Sequence, residues 1–348
     1  MSAVAQYKFE TALGGEEAQS SRPRLSIGVF NNMPDAALRA TERQFVTLLH
    51  AAAIGCDIRI HLSTLPSIRR SDAAHDRINA RYTHVDDLKR LHLDALIVTG
   101  STPYEEDLRE EPFWPEFRNL VDWAASRTVS TLWSCMAAHA AVLHLDGVPR
   151  RRLAKKLSGV FELSVPRSSW PLTGGAARYL CPHSRYNDVG EDDLRRAGYT
   201  VLGRSDEVGA DMFAKQTPSR FVFLQGHPEY DGDTLMREYR RDIMQFAAGE
   251  RASAPDAPVD LFAGGFHGPS LSRLAAARAM DQLIPKLDAM EAEVPVIGRW
   301  SSHATQLFRA WIRMILELKQ QGAAAPLPAA RREPAGVPHR NVATTFAR

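Results

Sequence analysis

Three residues of this chain could together perform nucleophilic acyl chemistry: Cys135, His227 and Glu229. Cys135 directly follows the strand-like run Val129 to Trp133 and opens an Ala-rich helical stretch that ends near Gly147 and Pro149. A strand-to-helix turn of this kind is a nucleophile elbow, which lifts the side chain clear of the sheet. The helix N-terminus favours the thiolate over the thiol. The Met136 N–H, with the loop after Gly100, is placed to hold the oxyanion of a tetrahedral intermediate. Alone, the pattern also fits a small buried hydrophobe, which is what most free cysteines are.

A thiol nucleophile needs a base, and the base needs an orienting group. After the strand-like run Arg220 to Leu224 comes Gly226-His227-Pro228-Glu229-Tyr230. Pro228 limits local freedom, so His227 and Glu229 can converge on one cleft. Alone this pair reads better as a loop histidine and a surface glutamate, but two strand ends that complete a Cys-His-Glu set bring the two readings level. His139 and His144 lie in the helix that starts at Cys135 and face away from the thiol or into the core. His183 is a rival base, read here as lining the substrate pocket.

The elements that must position these groups alternate. Leu25 to Phe30, Cys56 to Leu62 and Leu96 to Val98 read as strands; Thr41 to Leu49 and Phe113 to Ser126 read as helices. Such alternation predicts an α/β fold with a mainly parallel sheet covered by helices on both faces. In these sheets reactive groups sit at the carboxyl ends of strands. Shorter strand-like pieces follow at Arg178 to Arg185 and Val201 to Phe223, then an apolar-faced helix from Trp300 to Leu318. Residues 1–23 read as a flexible leader, 24–320 as one catalytic domain, and 321–348 as a disordered Ala/Pro-rich tail.

The 348 residues can bury a full core, and the net charge of +2 is too small to point to nucleic acid. Three dispersed cysteines without a CxxC pair argue against a disulfide framework or structural zinc, and no cluster has metal-ligand spacing, so no metal is expected. The N-terminus has no apolar signal core and no run approaches the ~18 apolar residues of a spanning helix, so no membrane partner is expected and the cytoplasm is the default compartment.

At this point the chain resembles the class I glutamine amidotransferase fold, and its finer motifs are similar to the acyltransferase branch, the homoserine O-succinyltransferase/O-acetyltransferase family. The resemblance rests on Asn32-Met33-Pro34 with Thr41-Glu42-x-Gln44, on Val98-Thr99-Gly100 and on Phe113-Trp114. It continues in Lys156-Leu157-Ser158-Gly159-Val160-Phe161-Glu162, Pro182-His183-Ser184-Arg185-Tyr186, Gly226 to Asp231, Arg241-Asp242 and Ser302-His303…Trp311. It implies an enzyme of methionine biosynthesis with no cofactor beyond acyl-CoA as co-substrate, and it leaves room for a homodimer. Cys135 would be acylated, His227 would activate first the thiol and then the homoserine hydroxyl, and Glu229 would orient it. Lys156, Ser184 and Arg241 match positions that contact the amino acid. Taken singly, they also fit a solvated lysine, a loop hydroxyl and a surface arginine.

Three departures shape the expectation for substrates. Asp35-Ala36 follow Met33-Pro34 where the family has lysines, and the elbow reads Cys135-Met136 with His139 where the family tends to have Cys-Trp and a later Gln. Tyr104, or Glu105 with a one-residue gap, falls where the family's donor-selecting loop residue stands. A bulky or acidic side chain there would shrink or charge the acyl pocket, which favours acetyl-CoA over succinyl-CoA. Serine in place of homoserine as acceptor stays open. A glutamine amidotransferase or related hydrolase is the competing class, but it usually flanks the nucleophile with glycines, and Ser134-Cys135-Met136-Ala137 does not.

Overall fold

In the computed structural model of the chain, residues 22–166, 170–173, 175–261, 268–295 and 297–322 are described. The expected leader and tail lie outside these residues except for residues 22–23 and 321–322.

The strands are β1 (Arg24–Phe30), β2 (Asp57–Ser63), β3 (Ala95–Val98), β4 (Ser130–Ser134), β5 (Arg151–Ser164), β6 (Arg178–Asp188), β7 (Thr200–Ser205), β8 (Gly209–Gln216) and β9 (Arg220–Leu224). They form one nine-stranded sheet in the order β2-β1-β3-β4-β9-β8-β7-β5-β6. The pairings from β2 through β9 are parallel, and those from β9 to β6 are antiparallel. β3 and β4 are buried along their whole length, as strands covered on both faces must be.

The helices are α1 (Asp35–Ala52), α2 (Asp72–Arg81), α3 (Val85–Arg90), α4 (Trp114–Arg127), α5 (Met136–Asp146), α6 (Glu191–Arg196), α7 (Thr234–Ala248), α8 (Gly268–Ala276), α9 (Met280–Glu293) and α10 (Ser301–Gln320). On one face, α1 and α10 bury Phe45, Leu49, Phe308 and Trp311 against Ile27, Ile97 and Leu132. On the other, α4 and α5 bury Phe117, Leu120, Ala137 and Ala141 with Leu96, Val98 and Trp133. The alanines of α5 let that helix lie close on the sheet, so its first turn is fixed directly above the end of β4. The expected α/β architecture and the C-terminal helix are both present.

The parallel half ends in five neighbouring loops, after β2, β1, β3, β4 and β9. Asn32 ties three strand ends together. Its N–H donates to Thr99 Oγ1 (2.9 Å), its Nδ2 donates to Thr99 O (3.2 Å), and its Oδ1 accepts from Leu65 N (3.0 Å). The hairpin of β5 and β6 brings Lys156 and Ser184 towards the same edge, and α7 faces them.

Candidate active site

Cys135 sits at the N-cap of α5 with φ 51° and ψ −112°, a positive-φ conformation that costs a non-glycine residue and makes the turn a strained one. The turn is held from both sides: Cys135 N–H donates to Leu224 O of β9 (2.7 Å), and its carbonyl accepts from Ala138 N (2.9 Å). The Met136 and Ala137 amides belong to the first turn of α5, whose N–H groups have no acceptor within the helix. A Cβ built on Gly100 would meet Met136 N at 3.2 Å and Ala137 N at 3.3 Å, so the bare backbone of Gly100 leaves the approach to these amides open.

His227 lies across the β4–β9 seam from this thiol, close enough for the charge on Cys135 to act on it. Its Nδ1 pairs with Glu229 Oε1 at 2.9 Å. Burial alone would push the imidazolium towards neutrality, but the charges of Cys135 and Glu229, and the hydrogen bond to Glu229, outweigh it. They hold the His227 pKa well above the ordinary histidine value. The Tyr230 ring stacks on the imidazole at 4.3 Å, and Trp300 Nε1 donates to Tyr230 O (2.9 Å), which anchors the loop to the start of α10. Gln44 of α1 reaches Asp231 (3.2 Å) and Thr234 (3.0 Å), a role for the Thr41-Glu42-x-Gln44 motif.

His227 is also set by a buried network behind it. Asp211 Oδ1 accepts from Gly226 N (2.8 Å), Asp211 Oδ2 accepts from Tyr179 OH (2.6 Å), and His227 N–H donates to Pro182 O (2.8 Å). A Cβ on Gly226 would lie 2.6 Å from Cys181 Sγ, 2.8 Å from Asp211 Oδ1 and 2.9 Å from His183 Nε2, all buried. Gly226→Ala is therefore expected to destabilise the fold by about 1–3 kcal/mol through overpacking and to lower turnover by shifting His227. Thermal denaturation and kcat measured on the same preparation check this.

His183 corrects the expectation that it lines the substrate pocket. It is fully buried, with Nδ1 accepting from Arg185 Nε (3.3 Å) and Nε2 facing Asp211 Oδ1 at 3.3 Å. Cys181, His183 and Asp211 bring three ligand-type atoms within 4.8 Å of one another, a convergence that sequence spacing did not show. The Arg185 hydrogen bond puts the imidazole proton on Nε2, towards Asp211, and the trio packs around Gly226, whose N–H Asp211 accepts. His139 is buried and hydrogen-bonded to Gln225 (2.7 Å), with its pKa pushed down to about 4 chiefly by burial, so it is a neutral core residue.

Lys156, Ser184 and Arg241 are brought together around two carboxylates of α7. Lys156 Nζ donates to Asp242 Oδ2 (2.8 Å) and lies 3.6 Å from Glu238 Oε2. The Ser184 hydroxyl donates to Glu238, Tyr230 OH donates to Glu238 Oε1 (2.8 Å), and Arg241 grips Asp242 Oδ1 through Nε and Nη2 (3.0 and 2.8 Å). Burial would raise the Asp242 pKa, but Lys156 and Arg241 outweigh it and hold it low. Arg241 keeps a side chain 58% exposed, free to turn towards a ligand. Glu238 was not anticipated, although its i, i+4 spacing to Asp242 on one helix was a usable signal.

The loop after Gly100 carries Tyr104 and Glu105, the two residues expected to select the acyl donor. Tyr104 is 74% exposed at the rim of a cleft of about 460 Å³ that Asn32, Ser101, Thr102 and Phe113 also line. Glu105 is exposed and is not part of that lining. The acidic group facing the cleft is Glu111, 3% exposed, whose Oε1 accepts from the Tyr104 and Glu105 amides. The loop thus leaves Tyr104 at the rim of the cleft, with Arg69 over its ring at 5.8 Å, and Glu105 outside it.

With this geometry in place, the sequence model of homoserine O-succinyltransferase matches residues 11–321. The chain belongs to that family. A homoserine O-succinyltransferase from Rhodopseudomonas palustris is 46% identical over 290 residues, covering 83% of this chain and 87% of that protein. One from Bradyrhizobium japonicum is 45% identical over 305 residues, covering 86% and 92%. Among solved structures, a glutamine amidotransferase from Methylobacillus flagellatus has a TM-score of 0.47 at 14% identity, covering 85% of this chain and 96% of that one. As a member of the homoserine O-succinyltransferase family, the chain is an acyltransferase. No helix among its described residues is long and apolar enough to cross a membrane.

Proposed function

We propose that the chain transfers the succinyl group of succinyl-CoA to the hydroxyl of L-homoserine through a thioester on Cys135. The observation that carries the reading is the half-buried Cys135 beside the buried His227–Glu229 pair, whose Nδ1 and Oε1 lie 2.9 Å apart. The choice of succinyl follows the names of the relatives. It replaces the expected preference for acetyl-CoA, which the comparisons do not support.

The charges suit two half-reactions. The Cys135 thiolate attacks the thioester carbonyl, the Met136 amide receives the oxyanion, and the collapsing intermediate expels CoA thiolate, which takes the proton of imidazolium His227. Acylation removes the negative charge of Cys135, a major reason for the raised His227 pKa. Neutral His227 can then accept the homoserine hydroxyl proton as that oxygen attacks the acyl-enzyme. Deacylation re-forms the thiolate, and the proton held on His227 restores the ion pair. Glu238, Ser184, Lys156 and Arg241 supply both charge signs that an amino acid zwitterion requires.

The test is to mix enzyme with succinyl-CoA alone, measure release of CoA thiol, and weigh the intact protein. One equivalent of thiol and one acyl mass on Cys135 are expected before any acceptor is added. Thiol release only in the presence of homoserine, with no mass gain, would replace the thioester route with direct transfer.

A further inference from the structure

A ring of cations surrounds Tyr186 that the acceptor alone does not account for. Tyr186 is half-buried on β6, two residues beyond Ser184. The Arg152 guanidinium carbon lies 5.1 Å from its ring centroid, Lys156 Nζ 5.8 Å, and the Arg251 guanidinium carbon 6.0 Å. Lys156, Arg241 and Arg251 share the single buried carboxylate Asp242, at 2.8, 2.8 and 3.3 Å. Glu238 adds one more negative charge, at 3.6 Å from Lys156. Arg152 is exposed and has no carboxylate partner among the described residues. The group therefore carries an excess of positive charge beside the acyl-transfer site. Homoserine, a zwitterion, brings no net charge to neutralise it.

The ligand that fits is a polyanion with a flat ring. We propose that Arg152, Tyr186 and Arg251 seat the adenine-nucleotide end of the CoA donor, with the purine against Tyr186 and a phosphate on Arg152. The inference rests on the reading of the enzyme as an acyl-CoA-dependent transferase. Stacking on an aromatic face flanked by guanidinium groups is favourable for a purine, and charge-assisted bonds to phosphate are the stronger class of hydrogen bond. Arg152 pairs with Asn187 of β6 at the point where the register turns irregular towards Leu157, and its exposed side chain stands at that break. In a two-step mechanism CoA departs before the acceptor docks, so Lys156 and Arg241 can serve both substrates in turn.

The experiment compares succinyl-CoA with succinyl-pantetheine, which has the same reacting end but no nucleotide. The wild-type enzyme should favour the CoA thioester in kcat/KM. Arg152→Ala should cut that preference about tenfold, roughly one charge-assisted contact, while Arg152→Lys keeps most of it. Adenosine 3′,5′-bisphosphate should compete with succinyl-CoA on the wild type and about tenfold less well on Arg152→Ala. Equal use of both thioesters by the wild type, or an equal loss for both in Arg152→Ala, would overturn the assignment. Failure of either thioester to load Cys135 would instead remove the acyl-transfer reading beneath it.

Discussion

Cys135→Ala should lower acyl transfer by about 10⁴-fold or more, in line with removal of the nucleophile from other covalent catalysts, and should gain no acyl mass. The expectation is sharp because nothing else at the site can take over. Cys181 is buried, its thiol is pushed well up by that burial and by the charges of Asp211 and Glu229, and it lies behind the His227 loop. Cys56 is buried beside β2, with its thiol also raised by burial. The positive φ at Cys135 penalises alanine as it does cysteine, so the substitution changes chemistry and leaves the strain of the elbow in place. Measuring thiol release and intact mass on one sample separates the two steps. A variant that still acquires the acyl group on another residue would overturn the assignment of Cys135.

The parts of this fold that the sequence made plain are those with local causes. Leu96-Ile97-Val98 can only be a strand covered on both sides, and it is central β3. The Cys135 elbow and the Gly226 to Tyr230 turn are short, contiguous and placed at strand ends, so the triad could be assembled without knowing any tertiary contact. Where side chains face was harder. β5 runs fourteen residues, but its first half is charged and exposed, so neither a period-two pattern nor an apolar run announces it. Its partner β6 is set by long-range pairing, which also makes half of the sheet antiparallel. Glu238 acquires its meaning only when the fold brings Ser184, 54 residues away, to its oxygen. Likewise the rim position of Tyr104 goes with Glu111 capturing two loop amides, an arrangement no alignment position reveals.

Glu229→Gln is the second large effect, expected to lower kcat by about 10³- to 10⁴-fold, as tautomer-fixing carboxylates do elsewhere. Glu229 Oε1 accepts the Nδ1 proton, which leaves Nε2 to exchange its proton with the thiol and then with the acceptor hydroxyl. A glutamine amide can present N–H to Nδ1 instead, moving the imidazole proton to Nε2 and removing the base from the second half-reaction. It also removes a negative charge that supports the imidazolium. His227 has a folded pKa raised above its unfolded value, so the ion pair stabilises the protein fully below the ordinary histidine pKa of about 6.5. That contribution is lost as pH rises through the folded value. Without Glu229 the folded value drops, so two curves should move together: the alkaline limb of kcat/KM for succinyl-CoA shifts to lower pH, and the alkaline decline in thermal stability begins earlier. Burial, the largest influence on His227 and the one that lowers its pKa, is unchanged by the substitution and adds to this direction. A Glu229→Gln enzyme with low kcat but an unmoved alkaline limb would assign Glu229 to holding the loop in place rather than to setting the charge of His227.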